Sequence, residues 1–206
     1  MTPDRPVPDR PDTIGPAVDP DAVDNNTPDS GARQEIVWQG KFITVHKRGR
    51  WEYVGRARNI RAAVIAAIED GHVLLVEQYR VPLGRNCLEL PAGLVGDDDD
   101  CQNEDALTAA GRELEEETGY RAAQLTDLGT YYSSPGMVSE SFTLVRACGL
   151  QKISSGGGTA EENITVHRVS IASLSGFIAS KRSDNVAIDV RLLMLMGAKL
   201  LEGELA

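Results

Sequence analysis

Cysteine is scarce. Cys87, Cys101 and Cys148 are the only three; they are widely spaced, odd in number, and form no Cys-x-x-Cys pair. That excludes a disulfide framework and a structural zinc site as organising features, and makes a reducing, cytoplasmic setting the default expectation. Long apolar runs are also missing. No stretch approaches the ~20 residues of a membrane helix, and Met1-Thr-Pro-Asp-Arg-Pro6 holds no apolar core of a secretory signal, so neither a membrane span nor a signal is expected. Basic charge is in deficit: 21 Lys and Arg stand against 31 Asp and Glu, a net charge of -10. This is a poor footprint for a protein that binds a nucleic-acid backbone. It suits carboxylate clusters that hold divalent cations.

What remains is ordinary globular material. The 206 residues are 41% apolar and 25% charged, enough for one domain with a real core. Residues 1–33 stand apart. They hold seven of the ten prolines and seven aspartates, with almost no large apolar side chains. Such a segment buries too little to offset its ordering entropy, so a disordered tail is expected. From residue 34 the pattern turns to β. Ile36–His46 and Trp51–Arg58, joined by Lys47-Arg-Gly-Arg50, read as an antiparallel hairpin. Ala62–Ile68 and His72–Gln78, joined through Asp70-Gly71, read as a second. Glu104–Thr118 reads as a helix ended by Gly119. Further strands are expected at Leu125–Ser133, Ser141–Ala147 and Ile164–Ser170, and a short helix at Ser173–Ser180. The apolar spacing of Ile188, Leu192, Leu195 and Met196 predicts a helix over Asp184–Leu201. The Ser155-Gly-Gly-Gly158 run is expected to be a flexible loop. The class is α+β.

The chemistry concentrates in the helix. At 100° per residue Glu113, Glu116 and Glu117 share a face, while Glu115 points away. Three carboxylates crowded into a last helical turn repel one another and oppose the helix dipole. Stability alone does not favour that arrangement, and oxygen-only ligation of Mg²⁺ or Mn²⁺ relieves it. Arg112, four residues before Glu116, is placed to hold a carboxylate by a charge-assisted bond. The rival reading is a solvated acidic helix face.

The pattern Glu104-x₇-Arg112-Glu113-Leu114-x-Glu116-Glu117-x-Gly119-Tyr120 resembles the signature box of Nudix hydrolases. It departs from the family in one place. Ten residues, including Asp97–Asp100, separate Gly93 from Glu104 where the family has five, a five-residue insertion in the loop before the helix. Glu77-Gln-Tyr-Arg80-x-Pro82, Leu88-Glu89-Leu-Pro91-Ala92-Gly93 and Ser134-Pro135-Gly136 are similar to the ADP-ribose and ADP-sugar pyrophosphatase branch. Gly40-Lys-Phe42 and Trp51-Glu52-x₃-Arg56 resemble the N-terminal hairpin of its dimeric members.

The resemblance implies a Nudix α/β/α sandwich with a mixed sheet over residues 61–206, preceded by a small antiparallel β subdomain over 34–60 that serves homodimerisation. It implies metal-assisted hydrolysis of ADP-ribose to AMP and ribose 5-phosphate. Glu113, Glu116, Glu117 and the Ala92 carbonyl become the ligands of Mg²⁺ or Mn²⁺. Phe42 and Trp51 become an adenine clasp, unless they are ordinary core aromatics. Glu52 faces the adenine amino group, Arg56 and Arg80 the pyrophosphate, and Pro135 marks the substrate loop. Glu89 supports the metal shell or ends its strand in a salt bridge. The general base is Glu162 or its neighbour Glu161, with Glu140 as competitor. Two alternatives stay open: a Nudix enzyme for another nucleotide sugar or a dinucleoside polyphosphate, and a sensor that binds ADP-ribose without turnover. The intact glutamates argue against the sensor.

Overall fold

The computed structural model describes residues 27–57, 60–96, 104–159 and 162–201. Most of the proline-rich segment, the Asp97–Asp100 run with the rest of the inserted loop, and Glu161 lie outside these residues.

The N-terminal region is a meander of three strands, β1 (Gln34–Gln39), β2 (Ile43–Arg48) and β3 (Trp51–Arg56), all antiparallel. The sequence pattern predicts one strand over Ile36–His46, but the chain reverses at Gly40-Lys41-Phe42. There the Gly40 N–H donates to the Ile43 carbonyl at 2.9 Å. A Cβ at Gly40 would lie 2.5 Å from the far end of the exposed Trp38 ring, so a larger residue there would push that ring aside. The described residues also include the turn before residue 34. Arg48 donates to the carbonyls of Ala32 and Ser30, and Arg50 pairs with Asp29, which ties the preceding turn to the small sheet.

The main body is a mixed sheet built on β4 (Arg61–Glu69) and β5 (His72–Arg80). Asp70 and Gly71 both have positive φ, 49° and 69°, the geometry that two-residue hairpins require and that Asp-Gly supplies. The remaining strands are β6 (Arg85–Glu89), β7 (Ala92–Val95), β8 (Tyr120–Tyr132), β9 (Ser141–Lys152), β10 (Thr165–Ser170) and β11 (Ala187–Ile188). Their order is β11-β6-β5-β4-β9-β8, with β10 also on β5 and β7 also on β4. The β4–β9 and β11–β6 pairs are parallel.

Helices cover both faces. On one, α1 (Ala106–Glu113) packs Ala109 and Ala110, with Leu114 just beyond, against Ala63, Ile65, Leu74 and Val145. On the other, α2 (Leu174–Ser183) and α3 (Leu193–Leu201) bring Leu174, Ile178 and Met196 onto Val64, Leu75 and Leu88. Each fully buried leucine stabilises this sandwich by about 1.5–3 kcal/mol. The α+β class, the mixed sheet between helices and the small N-terminal antiparallel sheet agree with expectation. The predicted helix over Asp184–Leu201 does not form in its first half. Ala187-Ile188 pairs with Cys87-Leu88 at the β6 edge, and α3 begins only at Leu193. An unpaired sheet edge has claimed residues whose spacing suited either structure. No helix among the described residues is long and apolar enough to cross a membrane.

Candidate active site

The carboxylate helix starts at Asp105, whose side chain accepts from the Leu107 and Thr108 N–H groups at 2.9 and 3.0 Å. It does not stay α-helical to its end. Leu114–Thr118 forms a π-turn, closed by Gly119 at φ 74°. Such turns recur at functional sites. Here the wider turn advances each residue by less angle. Glu117 therefore stays near the face of Glu113, while Glu116 falls behind toward the rim.

The glycine-rich segment explains how the widened turn is held. The carbonyls of Glu117 and Glu116 accept from Gly157 and Gly158 at 2.8 and 3.0 Å, partners that a helix end otherwise lacks. A Cβ at Gly119 would fall 2.3 Å from the Ser154 carbonyl oxygen, and one at Gly156 would fall 2.3 Å from the Thr118 carbonyl carbon. The sequence predicts a flexible loop at 155–158. Instead the backbones of two segments meet there without room for side chains.

Below the helix end lies a cavity of about 640 Å³, within the range of small-molecule sites. Glu113, Glu117, Ala92, Gly93 and Glu162 form one side. Glu117 is 5% exposed and accepts from the Ala92 N–H at 3.0 Å. Burial pushes its carboxyl up to about 8; the Ala92 hydrogen bond opposes the shift, and the charges of Glu113 and Glu162 add to it. Glu113 lies directly over Gly93, where a Cβ would sit 1.9 Å from its carboxyl carbon. Arg112 stands behind this wall. Its guanidinium reaches Glu113 at 2.9 Å, Glu104 at 3.4 Å and Glu116 at 3.5 Å. The expected bond to Glu116 is thus the longest of three.

Arg80, Glu89, Asp189 and Arg191 also line the cavity. Arg80 grips Glu89 with two parallel bonds of 2.7 and 2.8 Å. That bond raises the pKa of Arg80 despite burial. So do Arg56 and Glu140, hydrogen-bonded to each other although 84 residues apart in sequence. The small sheet makes this meeting possible. Val54 of β3 exchanges backbone bonds with Met137 and Ser139 at 3.0 and 2.9 Å, docking β3 beside the cavity.

The structure therefore gathers Arg56, Arg80, Glu89, Ala92, Glu113, Glu117, Glu140 and Glu162 around one space. It leaves Glu116 at the rim with its side chain 51% exposed. Phe42, Trp51, Glu52 and Pro135 are exposed and stand outside the lining. Phe42 precedes Ile43, which pairs with Arg56, whereas Trp51 pairs with Arg48 at the far end of the hairpin. At about 3.3 Å per strand residue, roughly 20 Å separates them. The two rings of one chain do not meet. Sequence reasoning missed Asp189 and Arg191, because it placed them inside a helix.

Among the described residues no three acidic, His or Cys side chains converge into a closed cation site. The donors present still fit a hard divalent ion. Two carboxylates line one wall, and Glu117 is buried with too little positive charge around it to stay ionised near neutrality. Magnesium is commonly held by one or two carboxylates, with substrate phosphates completing its shell.

The NUDIX domain family matches residues 58–180, more than half of the chain. The chain belongs to the NUDIX family. Among relatives of this Nudix hydrolase, the methanol dehydrogenase activator of Bacillus methanolicus is 34% identical over 66% of this chain and 72% of its own length. The ADP-ribose pyrophosphatase of Bacillus subtilis is 42% identical over 38% of this chain and 40% of its own length. The solved structure of an ADP compounds hydrolase superposes with a TM-score of 0.59 at 24% identity. It covers 84% of this chain and 93% of that one, which shows a shared fold.

Proposed function

We propose that this Nudix hydrolase cleaves the pyrophosphate of ADP-ribose or a related ADP-sugar, with Mg²⁺ or Mn²⁺, to AMP and a sugar phosphate. One observation carries the reading: Glu113 and Glu117 line a single nucleotide-sized cavity together with the arginines Arg80 and Arg56. A metal-bound pyrophosphate needs carboxylates on the side of the ion and guanidinium forks on the side of the free oxygens. Glu113 and Glu117, with the Ala92 carbonyl, hold the ion, and Glu116 joins from the rim. The ion supplies charge neutralisation and a more acidic bound water. Arg80 and Arg56 orient the phosphates. Glu162 takes the proton of the attacking water. It lines the cavity and its charge is felt by Glu117. Among the described residues its carboxylate accepts only a backbone N–H, that of Thr159 at 2.7 Å, whereas Glu140 is held by the Arg56 guanidinium.

The working form is a homodimer. Ile36, Trp38, Phe42 and Trp51 on the small sheet are each more than half exposed, an apolar patch that a second copy covers. Because Phe42 and Trp51 of one chain lie too far apart to clasp one base, each adenine site takes one ring from each subunit. Glu52 selects adenine. The substrate is a small molecule and not a nucleic acid, and the free thiols Cys87 and Cys148 fit a cytoplasmic setting.

Phosphate release from a panel of nucleotide sugars and dinucleoside polyphosphates, coupled to a phosphatase, tests the assignment. ADP-ribose or another ADP-sugar is expected to lead. Preference for a dinucleoside polyphosphate refutes it, as does tight ADP-ribose binding without turnover.

A further inference from the structure

Part of the cavity wall is finished by a segment remote in sequence. Parallel pairing of Ala187-Ile188 with Cys87-Leu88, and a 3.0 Å bond from the Asp189 N–H to the Leu88 carbonyl, set Asp189 beside Glu89. Asp189 then accepts the Arg191 backbone N–H at 2.7 Å. It also takes that residue's guanidinium through two bonds of 2.7 and 2.6 Å. The same guanidinium reaches Glu89 Oε2 at 3.4 Å, the oxygen that Arg80 also holds while it grips Oε1. Four charges thus alternate in a row: Asp189, Arg191, Glu89, Arg80. Their side chains are 17%, 20%, 4% and 42% exposed, and all four line the cavity, with Arg80 the most open.

Burying such a row is costly, and apolar residues of similar volume would often serve stability as well or better. Its product is a fixed geometry. The four charges cancel, and Arg191 and Arg80 together hold the Glu89 carboxylate in the orientation that grips the Arg80 fork. Without Arg191, Glu89 keeps one partner and is free to turn, and Arg80 with it.

We infer that Arg191, held by Asp189, is a positioning residue that acts through Glu89 to keep the Arg80 guanidinium oriented toward the substrate pyrophosphate. This rests on the proposal that Arg80 binds that group. The β11 segment is therefore part of the phosphate-binding apparatus and more than a strap on the sheet edge.

Steady-state kinetics on ADP-ribose with Arg80→Met, Arg191→Met, Arg191→Lys and the Arg80/Arg191 double methionine variant test the inference. Melting curves establish that each variant is folded. Arg191→Met is expected to raise KM about tenfold with kcat within about twofold, as for lost binding that is uniform between ground and transition states. Arg191→Lys, which keeps the charge, recovers part of that loss. The double variant is no worse than Arg80→Met alone, because both act at one point. Should Arg191→Met unfold the chain, Asp189→Asn is expected to raise KM in the same direction by less. A raised KM in Arg80→Met beside an unchanged KM in the folded Arg191 or Asp189 variant overturns the inference alone. Additive effects in the double variant also overturn it, since Arg191 would then act on substrate by itself. An unchanged KM in Arg80→Met overturns the underlying role of Arg80 and the inference with it.

Discussion

Substituting Gly93 by alanine separates the site from the fold. A Cβ there would sit 1.9 Å from the Glu113 carboxyl carbon, 2.0 Å from its Cγ and 2.1 Å from Oε1. Non-bonded carbons prefer about 3.5–4.0 Å, so the Glu113 side chain must retreat by roughly 1.5–2 Å. The obstacle is the end of a flexible side chain and not backbone, which keeps the cost to folding small. Gly93 lies in β7 and is not among the positive-φ glycines, so alanine suits its backbone and limits the freedom of the unfolded chain. The melting temperature should stay within a few degrees. Activity should not. A displacement of 1 Å at a reacting centre can cost about 100-fold, so kcat on ADP-ribose should fall by about that factor. Gly71→Ala is the converse control. Nothing lies within 4 Å of its added Cβ, but its φ of 69° disfavours alanine, so stability drops while kcat of the folded enzyme holds. A folded Gly93→Ala enzyme with kcat within twofold of wild type would refute the placement of Glu113 as a reacting-centre ligand.

Glu117→Gln should abolish turnover while raising the melting temperature of the metal-free protein near pH 7, because the buried carboxyl must give up its charge on folding and the neutral amide need not. An active variant sinks the metal assignment. On the opposite face, Glu77 is held at about 2 against an ordinary 4.5. Burial works against its charge but is outweighed by hydrogen bonds from Lys181, Asn86 and His167. Its stabilisation is present above about pH 4.5 and lost as pH falls through about 2. The destabilisation measured for Lys181→Met in urea should accordingly shrink between pH 7 and pH 2.5, and an equal loss at both refutes that pairing. Trp51→Ala should raise KM for ADP-ribose about 5- to 150-fold, from about 1–3 kcal/mol of base stacking, with a smaller change in kcat. An unchanged KM removes Trp51 from the base pocket. Light scattering should show a dimer at assay concentration, and an active monomer contradicts the shared adenine site.

Much of this architecture is legible in the chain because its signals are local. Asp70-Gly71 fixes the β4–β5 hairpin, and Gly119 marks the end of the carboxylate helix. The features that sequence missed depend on distant partners. Ideal α-spacing puts Glu116 with Glu113 and Glu117. The π-turn that separates them is held by Gly157 and Gly158, some forty residues downstream. Ile188 and Leu192 have helical spacing, but the free β6 edge decides the matter for Ala187-Ile188, and with it the presence of Asp189 and Arg191 in the cavity. Phe42 and Trp51 read equally as core or as ligand aromatics. Their exposure and their separation along the hairpin emerge only from the strand register.

The central claim is that the Glu113–Glu117 wall, loaded with a divalent ion, hydrolyses the pyrophosphate that Arg80 and Arg56 hold. The most direct measurement is product analysis of ADP-ribose incubated with the purified protein, with Mg²⁺ and then with excess EDTA. The account predicts AMP and ribose 5-phosphate in equal amounts with Mg²⁺, and no product with EDTA. Equal turnover in the two conditions, or none from ADP-ribose or any ADP-sugar with either Mg²⁺ or Mn²⁺, would contradict it.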